Sequence, residues 1–404
     1  MIKKIIFIFC ILCLSINTTS LAKISNDEFI EFCEHGSYQN IKRMLDDGYD
    51  VNAKKNSPIH NYTPLHGAVK KNPDLNVIKL LIERGAFVNA KDMYEITPLE
   101  TAIMYNRSPE LIEYLLNQGA DINTTKVNDH MFYPILHLTA LHYHSSDKNK
   151  LIALLIKHGA DVNTKNYSGE PVLFSEIHRL TPEIVTTLIN AGADVNFVSK
   201  EGRTLLAVSL RAKYPEVIDI LISRGAKLNK RNSRDETILQ QSILPPTKEA
   251  LAILAKHGYN FTNDELDRTL LKACEMKDSF LVQKLIDYGA NPNVIGIFPY
   301  NKYFVKEPNK NYYIRQPLSA AILYGENIDI IKTLLNNGAD TNIYTIDEKT
   351  GRIISTIPAL DLAKERLNNI LTVGELSTAA WSEDDKINYL KEIIKILEQY
   401  DKSN

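Results

Sequence analysis

Four histidines, His130, His137, His142 and His144, fall within fifteen residues. Imidazoles so close could share a zinc ion, which takes four ligands in a closed site and three in a reactive one. No cysteine or carboxylate completes this group at a recognised spacing. His142 also ends the phrase Thr139-Ala140-Leu141-His142, which returns elsewhere in the chain in forms that have no histidine. Cys10-Ile11-Leu12-Cys13 has the spacing of a redox dithiol, yet it sits inside an apolar run. A phosphate-binding glycine loop, a G-x-S-x-G elbow, an H-E-x-x-H helix and a calcium loop are all missing. The reactive side chains therefore predict no catalysis, no cofactor and no metal centre.

The elements that carry these residues follow a repeat. Gly48, Gly85, Gly119, Gly159, Gly192, Gly225, Gly258, Gly289 and Gly338 are separated by 37, 34, 40, 33, 33, 33, 31 and 49 residues. Four residues before each stands a leucine, such as Leu81, Leu188 or Leu221, with Met44 in the first copy. Apolar residues at three- and four-residue spacing before the glycine predict a short helix with one buried face. The glycine predicts a left-handed C-cap. Four residues after it comes asparagine in eight copies, from Asn52 to Asn342, and Thr262 in the seventh copy, the exception. A short amide there is expected to lock a turn by bonding backbone groups.

A second phrase precedes each of these helices. Thr63-Pro64-Leu65-His66-Gly67-Ala68 is the clearest, followed by Thr97-Pro98-Leu99-Glu100-Thr101-Ala102 and Thr139-Ala140-Leu141-His142. Threonine then proline predicts a helix start, because the hydroxyl satisfies a free amide and proline forfeits no bond at the first position. The phrase decays to Thr204-Leu205-Leu206-Ala207, Thr237-Ile238-Leu239, Thr269-Leu270-Leu271-Lys272-Ala273 and Gln316-Pro317-Leu318-Ser319.

A unit of about 33 residues built from a TPLH helix, a second helix and a G-A-D-x-N turn resembles the ankyrin repeat. The resemblance implies an all-α solenoid of about ten helix-turn-helix repeats, with hairpin-like finger loops beside a concave face and a core in which each repeat is buried only by its neighbours. It also implies a structural hydrogen bond from the histidine of the phrase, here His142, to the next repeat. Residues 25–54 lack the phrase and carry Asp27, Glu28, Glu31 and Glu34 on the first helix, as an outer cap would. Internal repeats are expected over 55–343 and a C-terminal cap over 344–404. In that cap, Ala359 to Leu371 forms the first helix, Trp381 sits in the loop, and Ile393 to Tyr400 repeats the second-helix pattern.

Two stretches exceed the repeat. Residues 297–316 hold Phe298, Tyr300, Tyr303, Phe304, Tyr312 and Tyr313 among lysines and asparagines. Ile343 to Ile357 alternates around Glu348-Lys349-Thr350-Gly351, which predicts a lengthened hairpin. Aromatic rings with polar rims suit the centre of a protein interface. Tyr94, Phe132, Tyr133 and Tyr167 at the finger tips, with Tyr300, Tyr303, Phe304, Tyr312 and Tyr313, are therefore the candidate partner-binding residues.

The first 22 residues read as an address. Lys3 and Lys4 precede the apolar run Ile5 to Leu14, and Ser20-Leu21-Ala22 predicts a signal peptide cleaved after Ala22. Ten to twelve apolar residues are too few for a membrane span, which needs roughly 20. The chain carries 47 basic and 49 acidic residues, so no net positive field steers it to nucleic acid. Beyond residue 22 only Cys33 and Cys274 remain, and no disulfide framework is expected. Turn asparagines fall in N-glycosylation sequons, as at Asn123-Thr124-Thr125, where a glycan would compete with the turn; this favours a bacterial exported protein. The sequence thus predicts non-covalent binding of a protein partner by a monomeric, periplasmic or secreted repeat array, through its concave face, finger loops and aromatic insertion. A secreted effector acting on host proteins is the alternative, and an enzyme would need its site inside an insertion.

Overall fold

The computed structural model describes residues 24–54, 62–123, 133–212, 214–232, 234–241, 245–295, 312–313, 316–324, 327–347, 353–373 and 382–403. The chain divides into two compact units, residues 1–194 and 195–404.

Among its described residues the first unit contains ten helices: α1 (Asn26–His35), α2 (Tyr38–Asp46), α3 (Pro64–Lys71), α4 (Leu75–Glu83), α5 (Pro98–Met104), α6 (Pro109–Asn117), α7 (Ile135–His142), α8 (Lys148–Lys157), α9 (Val172–Ser175) and α10 (Pro182–Asn190). Contacts run α1 to α3 to α5 to α7 to α9 along one layer and α2 to α4, α6 to α8 to α10 along the other. Each pair covers its apolar stripe with the next pair. Gly67 on α3 shows how close the layers come, since a Cβ there would lie 2.8 Å from the Ile30 carbonyl oxygen of α1. α1 buries Phe29, Ile30, Phe32 and Cys33 and leaves Glu28 and Glu31 exposed, the pattern of an end cap.

Helix starts follow the predicted chemistry. Thr63 accepts from the His66 amide and Thr97 from the Glu100 amide, each completing a capping box. The nine repeat glycines all have positive φ, from 75° at Gly258 to 101° at Gly289. At Gly85 (φ 89°) the backbone turns out of α4 while the Ala86 amide donates to the Leu81 carbonyl at 2.9 Å, so a side chain there would be strained.

The second unit contains α11 (Leu205–Ser209), α12 (Glu216–Ser223), α13 (Lys248–Lys256), α14 (Asn263–Glu275), α15 (Ser279–Asp287), α16 (Pro317–Tyr324), α17 (Ile328–Asn336), α18 (Ala359–Val373) and α19 (Glu383–Ser403). α14, α16 and α18 stack in one layer, and α13, α15, α17 and α19 in the other. The closing helix α19 buries Leu390, Ile393 and Leu397, and its Tyr389 hydroxyl donates to the Ala321 carbonyl.

Three expectations are corrected here. The fold is mostly but not wholly helical: β1 (Tyr312–Tyr313), β2 (Asn342–Asp347) and β3 (Ile353–Pro358) form an antiparallel sheet in that order. β2 and β3 are the predicted hairpin. Tyr312 and Tyr313 pair with Asp347 and Ile346, so the end of the aromatic stretch adds a strand to it. In the fourth copy the helix-start phrase is Pro134-Ile135-Leu136-His137, because α7 begins at Ile135; Thr139 and His142 lie inside it. In the eighth, α14 starts at Asn263, so Thr269 is mid-helix. Thr262, the exception to the asparagine rule, is the N-cap of α14 and completes a capping box with Glu265.

Among the described residues no helix is long and apolar enough to cross a membrane. Cys33 and Cys274 are free and buried in different units, and burial pushes both thiols well above their ordinary range.

Candidate interaction surface

The fingers are positioned by the repeat asparagines, which reach further than a local turn. The Asn52 amide donates to the Gly85 carbonyl at 2.9 Å while its oxygen accepts from the Phe87 amide at 2.9 Å. Asn89 does the same to Gly119 and Asp121, Asn123 to Gly159 and Asp161, and Asn163 to Gly192 and Asp194. In the second unit Asn196 clamps Gly225 and Lys227, and Asn293 clamps Gly338 and Asp340. Each asparagine therefore fixes the base of its finger to the cap of the following repeat. Where Thr262 replaces asparagine, Asp267 accepts from the Asn291 amide at 2.7 Å instead.

The histidine of the helix-start phrase makes the second link. His66 Nε2 meets the Ile96 carbonyl at 3.1 Å and its Nδ1 faces the Thr63 amide and hydroxyl. A backbone amide can only donate, so Nδ1 is the acceptor and the proton resides on Nε2. His137 repeats the bond to the Glu170 carbonyl at 3.0 Å. Burial lowers both imidazole pKa values, that of His137 to about 4. The inter-repeat bond that the resemblance assigned to His142 thus belongs to His137. His142 and His144 are exposed, and His130 lies outside the described residues. Among the described residues no three His, Cys, Asp or Glu side chains gather as a metal site.

The finger tips share one turn. Asp92 Oδ1 accepts from the Tyr94 and Ile96 amides, and Asn166 Oδ1 from those of Ser168 and Glu170. Asn232 does so for Arg234 and Glu236. The fourth residue of each turn has positive φ: Glu95 (65°), Gly169 (80°), Gly202 (81°) and Asp235 (60°). Short side chains that bond their own turn hold the tips.

On this frame Tyr94 is 60% exposed and Tyr167 74%. Tyr133 meets Tyr167 edge-on, with centroids 6.1 Å apart, so two neighbouring fingers present a joined pair of rings. Phe132, Tyr300, Tyr303 and Phe304 lie outside the described residues; Tyr312 and Tyr313 are placed by their backbone in β1.

Further apolar groups escaped the sequence reading. Phe87 is 67% exposed, next to the Asn52 clamp. Tyr105 caps the end of α5, and the Lys70 ammonium stands 5.3 Å from its ring and 5.2 Å from that of Tyr62. Burial, then Tyr105, Asp92 and Glu34, push the Tyr62 phenol up to about 12. An aromatic residue immediately before the threonine of the phrase, as in Tyr62-Thr63, was the available signal.

The sequence matches the family model for ankyrin repeats (three copies) over residues 29–126 and 136–232. No curated protein matches it. Among solved structures, the chain is similar to the human ASB11 ankyrin repeat domain, at 20% identity over 59% of this chain and 100% of that one, with a TM-score of 0.46. It is also similar to a chain in the structure of the Bd0816 predatory endopeptidase from Bdellovibrio bacteriovorus in complex with immunity protein Bd3460. That match has 24% identity over 50% of this chain and 99% of that one, and a TM-score of 0.42. Both likenesses are too distant to bear on function.

Proposed function

We propose, from the premise that residues 29–126 and 136–232 are ankyrin repeats, that this chain is an exported, monomeric module that binds a protein partner without covalent chemistry through its finger row. The observation that carries the reading is the exposure of Tyr94 and Tyr167 on self-bonded turns, with Tyr133 set against Tyr167. Rings held rigid and half wet lose little entropy on binding and bury large area, as interface centres do. The aromatic stretch 297–316 is a second candidate contact segment in this reading. The test is the affinity of the captured partner for a Tyr94→Ser/Tyr167→Ser variant, expected to weaken by at least about 2 kcal/mol.

Export rests on the signal-like residues 1–22, with Lys3 and Lys4 before the apolar run and Ser20-Leu21-Ala22 at its end. Protein recovered from the envelope or medium of the producing cells is expected to begin at Lys23 or within a few residues of it. An exported chain that retains Met1 would rule out cleavage. The same fractionation separates a periplasmic resident from a secreted effector.

A further inference from the structure

The cations of the second unit are not spread evenly. Arg224, Lys227, Lys230, Arg231 and Arg234 fall within eleven residues that contain no acid, in a chain with slightly more acidic than basic residues overall. We propose that this finger, together with the neighbouring one at Ser199–Arg203, receives an acidic segment of the partner protein. The proposal rests on the protein-binding reading above and specifies the chemistry of one contact.

The backbone that carries these charges is fixed before any partner arrives. Asn196 accepts from the Lys227 amide at 3.1 Å and donates to the Gly225 carbonyl at 3.0 Å, while the Lys230 ammonium reaches the Asn196 carbonyl at 3.3 Å. Asn232 holds the tip by accepting from the Arg234 and Glu236 amides, each at 2.9 Å. Arg231 is engaged locally, donating to the Asp235 carbonyl at 2.6 Å. Among the described residues Lys227 and Arg234 form no ion pair, and both are exposed, as is Lys200 at the tip of the neighbouring finger. A positive cluster on a preorganised turn attracts carboxylates at little ordering cost.

The row of fingers is also interrupted beside it. The next asparagine position is Thr262, where the chain passes directly into α14 without forming a finger. A protein segment with spaced carboxylates fits better than a nucleic acid. Glu201 lies between Lys200 and Arg203, and Asp235 and Glu236 follow Arg234 directly; these carboxylates would repel a backbone that carries a phosphate at every residue.

The test uses the full chain and a fluorescent ten-residue peptide in which glutamates alternate with glycines, with the matching glutamine peptide and a single-stranded oligonucleotide of equal charge as controls. The glutamate peptide is expected to bind at least tenfold more tightly than the glutamine one at low salt and to weaken as salt rises. A Lys200→Gln/Lys227→Gln/Arg234→Gln variant should lose at least tenfold in affinity with an unchanged melting temperature, and the charge-keeping Lys227→Arg/Arg234→Lys variant should retain it. Equal binding of both peptides, equal binding by wild type and the glutamine variant, or preference for the oligonucleotide would overturn the proposal. Its failure is distinct from that of the parent reading: a glutamine variant that still captures the full partner with wild-type affinity sinks the acidic-segment assignment alone.

Discussion

Alanine at Leu221 is expected to lower the free energy of unfolding by about 2–5 kcal/mol, and alanine at Leu188 by a similar amount. Both side chains are fully buried, and each stands four residues before a repeat glycine. The truncation removes apolar contacts and leaves a cavity that two rigid helix layers cannot close, which is why the cost exceeds the transfer energy of the lost methyl groups. The Ala226 amide bonds the Leu221 carbonyl at 2.9 Å, and the Ala193 amide bonds that of Leu188 at 3.0 Å. The backbone is therefore pinned at the same place and cannot shift to fill the hole. Urea unfolding with the slope held constant measures the effect. A loss below about 1 kcal/mol at both positions would contradict a core built only of neighbouring repeats.

Acid should unfold the first unit through His137. Burial holds its imidazole at about 4 in the folded chain, against 6.5 when unfolded, and its Nδ1 is buried with no partner that could accept a new proton. The unfolded chain binds the proton first, so the stabilising contribution of neutral His137 is complete above pH 6.5. It is lost as pH falls from 6.5 toward about 4, in total by roughly 2–4 kcal/mol. Carboxylates such as Asp46 and Asp219, held low by their hydrogen bonds to Lys42 and to His257 respectively, lose their contribution only below their ordinary range, so the two windows are separate. His137→Gln keeps a donor for the Glu170 carbonyl and removes the titration. Between pH 7 and pH 4.5 the wild type should lose more stability than this variant. Equal losses would place the acid sensitivity elsewhere.

Much of the architecture was legible because it is written in local chemistry. Glycine after an apolar stripe means a left-handed cap wherever it stands, and Thr-Pro before one means a helix start. What could not be read depends on partners about thirty residues away. Asn89 looks like a turn residue in sequence, but its bonds go to Gly119 and Asp121. Asp267 has no local signature at all for its role at Asn291. The fourth repeat is misphased in sequence because Thr139-Ala140-Leu141-His142 imitates the phrase inside a helix that has already begun at Ile135. The predicted hairpin followed from alternation, whereas the strand at Tyr312–Tyr313 arises only from pairing with β2. Of the candidate site, the exposed rings Tyr94 and Tyr167 were visible as loop aromatics. The contact between Tyr133 and Tyr167 needed the stacking of two fingers that the period alone does not register.

On the proposed function the finger rings bind a partner and do not hold the repeats together. Affinity and melting temperature measured side by side on Tyr94→Ser/Tyr167→Ser test it most directly. The claim predicts at least a thirtyfold loss of affinity for the captured partner, the equivalent of about 2 kcal/mol, with a melting temperature within about 1 °C of wild type, as surface substitutions leave it. A melting temperature several degrees lower with affinity unchanged would make these rings part of the structural core and contradict the claim.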